Sequence, residues 1–287
     1  MESVKEIFSK ISKRKADSHK GDYGHVFVLA GSCFYTGAPC MVSQGALLSG
    51  SGLVTLGVGK SLHAIMASKL LEVMVRPFYE TKDMSLSMLA ERDVLKFSEN
   101  TDVIAIGPGM TRHKETLQLV RCLLQKIKKP FVVDADGINA LAGHVEVLKK
   151  VEPPIALTPH PGEMARLVNK DLKEIQADRV GFAKEFAKEN NCVLALKGNS
   201  TVVAGPDGKC HINTTGNPGM ASGGTGDILT GVIAGLIAQG LDNYSASVLG
   251  VYAHGLAGDI AAKEKGELSL TATDVLSALP AAFMSLK

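Results

Sequence analysis

The feature that most restricts the fold of this 287-residue chain is a regular alternation of short apolar runs with amphipathic stretches. His25 to Ala30, Leu53 to Gly57, Val103 to Ile106, Phe131 to Val133, Ile155 to Leu157 and Val193 to Leu196 are rich in Val, Ile and Leu and end in Gly, Asp or Thr-Pro. Runs this short and this apolar are predicted to be strands buried on both faces. Between them, Pro39 to Ser49, Glu115 to Ile127, Pro161 to Val168 and Ala177 to Asn190 carry apolar residues at three and four spacing with charge opposite, the pattern of helices that cover a sheet. The order βαβα implies an α/β fold with a mostly parallel sheet and helices on both faces. Two segments break the rhythm. Ser200 to Asn213 reads as strand, Gly-Pro-Asp-Gly turn, strand, a late β-hairpin. Ile228 to Gln239 has no charged residue and places Gly231 and Gly235 four apart, so this helix is predicted to be buried all round and closely packed. Tyr244 to Lys265 and Thr271 to Leu286 are then expected to cover it.

Composition narrows the function classes. Hydrophobic residues make up 45% and charged ones 21%, the balance of a globular chain, and without a linker or repeat one domain over residues 1–287 is expected. With no Trp and 5% aromatic residues the core must be aliphatic. A formal charge of +2 gives no field to draw in nucleic acid or an anionic membrane, so neither is expected as a partner. Five scattered cysteines without Cys/His spacing argue against a disulfide framework or a zinc site. The same cysteine usage makes a reducing cytoplasm the expected home, and the polar start, Met1 to Lys20, with no apolar run long enough to span a bilayer, directs nothing to a membrane.

Chemistry concentrates in Asn217 to Asp227, Asn-Pro-Gly-Met-Ala-Ser-Gly-Gly-Thr-Gly-Asp, which runs straight into the buried helix. Three glycines in four positions let backbone amides turn toward one point, and the helix start adds free N–H groups and a positive dipole end. Ser222 to Gly226, with Gly223, Gly224, Thr225 and Gly226 at its centre, therefore reads as an anion hole for a nucleotide phosphate, and Asp227 as a general base on a substrate hydroxyl. The plainer alternative is a tight loop with Asp227 as a helix cap. A Gly-x4-Gly-Lys-Ser/Thr loop is absent, and Gly57-Val58-Gly59 lacks the third glycine of a dinucleotide fingerprint, so any nucleotide site is of another kind.

These residues join others in a likeness that runs over nearly the whole chain: Lys20-Gly-Asp-Tyr-Gly-His, Tyr35-Thr-Gly-Ala-Pro, Gly107-Pro-Gly, Asp134-Ala-Asp-Gly-Ile-Asn-Ala-Leu, Leu157-Thr-Pro-His-Pro-Gly-Glu and Leu196-Lys-Gly-Asn-Ser-Thr. Together they resemble the ADP- or ATP-dependent NAD(P)H-hydrate dehydratases of the ribokinase-like superfamily. One departure is Gly137-Ile138, where Ala-Leu is commoner in the family. A second is the lack of the N-terminal epimerase domain that many relatives carry, so only the dehydration half of nicotinamide-nucleotide repair is expected.

The resemblance implies a three-layer αβα sandwich. It also implies that Lys197, Gly198, Asn199, Ser200, Thr201 and Gly226 hold the nucleotide, while Ala38, Gly109, His160 and Asp227 line the hydrated dinucleotide. ADP or ATP is then the phosphoryl donor, the S-form of hydrated NADH or NADPH the substrate, Mg²⁺ the companion of the phosphates, and a homotetramer the expected assembly. No direct metal ligand is expected; Asp136 is a candidate through water, because Asp134 and Asp136 would point the same way from an extended strand. His254 lies among small residues and reads as a packing histidine. Two rivals remain at this point: a hydroxymethyl kinase of the same superfamily, which would release a phosphorylated product, and a nucleotide-sensing module without turnover.

Overall fold

The computed structural model describes residues 2–11 and 13–287; of the polar N-terminal stretch, Met1 and Ser12 lie outside the described residues. Nine strands follow one another: β1 (His25–Leu29), β2 (Leu53–Gly59), β3 (Met74–Phe78), β4 (Val103–Ile106), β5 (Phe131–Val133), β6 (Ile155–Leu157), β7 (Val193–Leu196), β8 (Val202–Ala204) and β9 (Cys210–Ile212). The helices among them are α1 (Val4–Ser9), α2 (Ala38–Leu48), α3 (His63–Lys69), α4 (Glu91–Ser98), α5 (Lys114–Lys126), α6 (Asp136–Asn139), α7 (Pro161–Val168), α8 (Leu172–Ala177), α9 (Arg179–Glu189), α10 (Thr225–Ala238), α11 (Asn243–Lys265) and α12 (Ala272–Met284).

The strands form one sheet in the order β3-β2-β1-β4-β5-β6-β7-β8-β9. β1 to β7 pair in parallel, and β8 and β9 complete the sheet as an antiparallel hairpin. Because successive side chains point to opposite faces, Val26 and Val28 of β1 enter one core while Phe27 and Leu29 enter the other. The first core is closed by α1, α2, α3, α10, α11 and α12, the second by α4 to α9. The chain runs outward from β1 to β3 and returns to β4 on β1's other side, which puts the topological switch point, the usual ligand position in open parallel sheets, at the C-terminal ends of β1 and β4.

α10 is buried almost throughout, as its charge-free sequence requires. It meets α2 backbone to backbone: a Cβ at Gly231 would fall 2.0 Å from the Val42 carbonyl oxygen, and one at Gly45 would fall 2.6 Å from that of Ile228.

The structure corrects three local expectations. β3 escapes the apolar-run criterion because it contains Arg76 and Pro77, and an edge strand tolerates that proline since one side needs no ladder donor. The stretch from Ala177 to Asn190 is interrupted at Asp178, whose φ of −142° ends α8 and whose carboxylate accepts from the Gly181 N–H at 2.8 Å to start α9. The strand expected to end at Gly57 runs on through Val58 and Gly59 as β2.

Candidate active site

The first turns of α2, α6, α7 and α10 all follow the C-terminal ends of parallel strands or the loop that faces them. At α10 the loop is fixed by Thr225, whose hydroxyl donates to the carbonyls of Ser222 (2.9 Å) and Met220 (3.0 Å). Gly224 precedes the helix with φ +96°, a left-handed conformation that a Cβ would strain. Among the described residues, none of the backbone N–H groups from Gly223 to Asp227 donates a hydrogen bond within the protein. Asp227 is the third residue of α10, with Gly224 at the cap position, so the capping alternative is set aside. Its carboxylate accepts no hydrogen bond among the described residues. Burial pushes its pKa up to about 7; the charges of Asp134, Glu163 and Asp136 add to the rise and the Lys197 ammonium opposes it.

Beside it lies a buried charge cluster that the sequence did not reveal as a unit. Lys197, just past β7, donates to Asp134 Oδ1 at 2.7 Å and stands 4.0 Å from Glu163 Oε2. Asp134 Oδ2 accepts from the Thr230 hydroxyl of α10 at 2.8 Å. Asp134 is therefore a pin between the β7 loop and the helix that carries Asp227. Burial pulls the lysine pKa down, but Asp134 and Glu163 outweigh it and hold the group above its usual value, so it stays charged. Glu163 is itself pushed up, by burial first and Asp134 second. A Cβ at Gly226 would lie 3.3 Å from Lys197 Nζ, so the glycine lets the ammonium sit against the helix start.

Asp134 and Asp136 do not point together as an extended strand would place them. Ala135 between them adopts φ +50°, which turns Asp134 toward Lys197 and Asp136 toward the backbone N–H of Thr111, whose distance to Oδ2 is 2.8 Å. Among the described residues no group of three His, Cys, Asp or Glu side chains is placed to hold a metal ion.

A cavity and a loop junction lie near this cluster. The first is a cavity of about 590 Å³ lined by Lys197, Gly198, Asn199, Ser200, Thr201 and Gly226, the residues expected to hold a nucleotide. Arg179 of α9 shapes its wall by donating to the carbonyls of Asn199 (2.6 Å) and Leu196 (2.9 Å). His254 of α11 also lines it, which the packing reading missed, although that reading placed it correctly as buried. Burial, with the Lys197 charge adding and the Thr225 main chain opposing, lowers its pKa to about 4, so it is neutral.

The loops after β1 and β4 meet beyond the strand ends, where the Gly31 N–H donates to the Pro108 carbonyl at 2.9 Å. Gly109 has φ +67°, and a Cβ there would meet that of Tyr35 at 2.7 Å and that of Ala38 at 3.1 Å, so Ala38 and Gly109 share a wall. A Cβ at Gly224 would lie 3.7 Å from Met41 Cγ, which brings the glycine loop to the same end of α2. His160 caps α7, its Nδ1 accepting from the N–H of Gly162 at 3.0 Å; burial, then the Lys197 and Arg166 charges, lower its pKa. The structure thus brings Gly226, Lys197 and Asp227 together at the start of α10 and joins Ala38 to Gly109, while His160 stands at the start of α7 near the Lys197 charge.

An αβα sandwich with a topological switch point and a glycine loop opening a buried helix defines a ribokinase-like protein. The crystal structure of a ribokinase-like superfamily protein from Enterococcus faecalis superposes with a TM-score of 0.83, at 27% identity over 98% of this chain and 94% of that one. Within that class, the family described as NAD(P)H-hydrate dehydratase matches residues 26–281, and the chain belongs to it. The crystal structure of the ADP/ATP-dependent NAD(P)H-hydrate dehydratase of Bacillus subtilis, co-crystallised with ATP and Mg²⁺, is 33% identical with a TM-score of 0.84, covering 99% of this chain and 98% of that one. A bifunctional NAD(P)H-hydrate repair enzyme of Moorella thermoacetica is 47% identical over 95% of this chain. The chain spans about half, 51%, of that relative's length.

Proposed function

We propose that the protein dehydrates the S-form of NAD(P)H hydrate, with ADP or ATP as phosphoryl donor. The observation that carries the reading is Asp227: a largely buried carboxylate that accepts no hydrogen bond among the described residues, at the end of a row of unused main-chain donors and in a helix whose first two residues line the cavity. Family membership and the name of the Bacillus subtilis relative support it.

Hydroxide is a poor leaving group at neutral pH, and phosphate is a far better one. With the nucleotide in the 590 Å³ cavity, its terminal phosphoryl rests on the N–H groups of Gly223 to Gly226. Asp227 removes the proton from the substrate hydroxyl, whose oxygen attacks that phosphorus; AMP or ADP departs. The nitrogen of the hydrated ring then pushes out phosphate, and loss of a ring proton restores NAD(P)H. Ala38, Gly109 and His160 hold the dinucleotide, and Lys197, pinned by Asp134, keeps the β7 loop and α10 in register. Mg²⁺ would be held by the nucleotide phosphates and water, with Asp136, whose side chain keeps 16% of its surface exposed, contacting a bound water. It supplies charge neutralisation. We read the protein as a cytoplasmic homotetramer. Among the described residues no helix is long and apolar enough to cross a membrane, and exposed Leu71 and Met74 at the β3 edge offer apolar surface for a second copy.

The test is recovery of absorbance at 340 nm when hydrated NADH meets ADP. Asp227→Asn should slow it about a thousandfold while nucleotide affinity, measured by calorimetry, stays within about twofold. Wild-type kcat should climb as pH rises through about 7, the pKa of Asp227, because the base works only when ionised. A phosphorylated product that persists would assign the chain to the kinases instead, and binding without any product would make it a sensor.

A further inference from the structure

The cavity beside Lys197 owes one wall to a segment that no sheet or long helix holds. Residues 213–221 join β9 to the glycine loop, line the cavity for most of their length and contain only the short turn Pro218–Met220. α11 holds them from behind. Asn213 Nδ2 donates to the Val251 carbonyl at 3.3 Å, and the Thr215 hydroxyl donates to that of Tyr252 at 2.8 Å. A Cβ at Gly255 would fall 2.4 Å from Thr215 Oγ1, and one at Gly258 2.2 Å from Met220 Sδ, so the segment lies directly on the helix.

The remaining tie is the carboxylate of Asp259. Its Oδ2 accepts from the Gly216 N–H at 2.9 Å, its Oδ1 accepts from Asn217 Nδ2 at 3.0 Å, and Asn217 Oδ1 accepts in turn from the Gly219 N–H at 3.0 Å. Asp259 does not itself line the cavity, and among the described residues no cation pairs with it. Both of its oxygens therefore serve the segment. A wall that had to be ordered by the incoming ligand would subtract that cost from affinity, whereas a wall already fixed does not. We propose that Asp259 is a positioning residue for the nucleotide: it fixes residues 213–221 before the ligand arrives and so sets how tightly ADP or ATP is held, without touching either. The inference rests on the reading that this cavity takes the phosphoryl donor.

The experiment measures ADP binding by calorimetry and initial rates on hydrated NADH for the wild type, Asp259→Asn, Asp259→Ala and the exchanged pair Asp259→Asn with Asn217→Asp. Both groups that face Asp259 are donors, so the near-isosteric Asp259→Asn sets an NH₂ against one of them and should raise Kd and KM for ADP about tenfold. Asp259→Ala leaves both donors without an acceptor and should raise them further. In each single variant KM for the hydrate should stay within about twofold and kcat at saturating ADP within about threefold, because the glycine loop keeps its own ties through Thr225. The exchanged pair turns donor and acceptor round and should bind ADP more tightly than Asp259→Asn alone. A second measure needs no variant: in the wild type without nucleotide, the Gly216 N–H should exchange with deuterium about tenfold or more slower than that of Gly223, which has no acceptor among the described residues. Unchanged ADP affinity in both single variants, a hydrate KM that rises as much as that of ADP, or a Gly216 N–H that exchanges as fast as that of Gly223 overturns the proposal. A wild type that binds ADP, loses affinity on Asp259→Asn and yet dehydrates nothing would sink the activity and leave this inference standing. Turnover by a wild type whose Asp259 variants keep their ADP affinity would do the reverse.

Discussion

The two helical layers pack one sheet by opposite means. On one face α2 and α10 touch main chain to main chain, with Gly45, Gly231 and Gly235 leaving no room for a side chain between them. On the other, α5 and α9 lay large residues such as Leu119, Leu123 and Phe186 over Phe131 and Leu194, as ordinary amphipathic helices do. The first arrangement positions a helix start with little freedom, which suits a turn that must aim donors and a base. The second only has to fill space, and packing of that kind tolerates change.

The sharpest way to break this contrast is to add one carbon to the tight layer. Gly231→Ala puts a Cβ 2.0 Å from the Val42 carbonyl oxygen, so a backbone must move, at a cost of about 3 kcal/mol or more, and turnover should fall with it because the helix bearing Asp227 shifts. Urea unfolding and the 340 nm assay measure both. Taking three carbons from the loose layer, by Leu123→Ala, should cost a similar 2–5 kcal/mol of stability yet leave kcat nearly intact. If Leu123→Ala also abolished turnover, the division of labour between the layers would fail.

A smaller effect separates stability from function within the tight layer. Burial raises the folded pKa of Asp227 from 3.8 to about 7, so between those values the folded chain keeps a proton that the unfolded chain has released. Stability therefore falls as pH rises across that window and stays lower above it. At pH 8 the ionised carboxylate should cost on the order of 2–4 kcal/mol. Asp227→Asn, inactive as it is, should melt several degrees above the wild type at pH 8 and close to it at pH 4. Equal melting temperatures at both pH values would show that the carboxylate is better solvated than its surroundings imply.

What was legible in the sequence follows from the same contrast. Central strands announce themselves because both faces are buried, and α10 because a charge-free run with glycines four apart has nowhere to go but inside. β3 was hidden: an edge strand needs neither continuous apolarity nor a full set of donors, so Arg76 and Pro77 disguise it. In the site, the glycine loop and Asp227 are contiguous and could be read, and the likeness to known dehydratases supplied Ala38, Gly109 and His160. The Asp134–Lys197–Thr230 pin could not be read, since its members lie 63 and 96 positions from Asp134 and are joined only by the crossing of β5, β7 and α10. The opposed directions of Asp134 and Asp136 depend on one backbone torsion at Ala135, where the sequence shows only an unremarkable alanine.

The loop before α10 has a consequence for how such a protein changes over generations. Donors that belong to the main chain are inherited as shape: exchanging Ser222, or any side chain that leaves the torsions alone, keeps the proposed phosphate seat. The seat is vulnerable instead at Gly224, where φ +96° disfavours every residue that has a Cβ. Drift would be cheap where a side chain neither sets the torsions nor ties the loop, and costly at Gly224, at Thr225 and at Gly226.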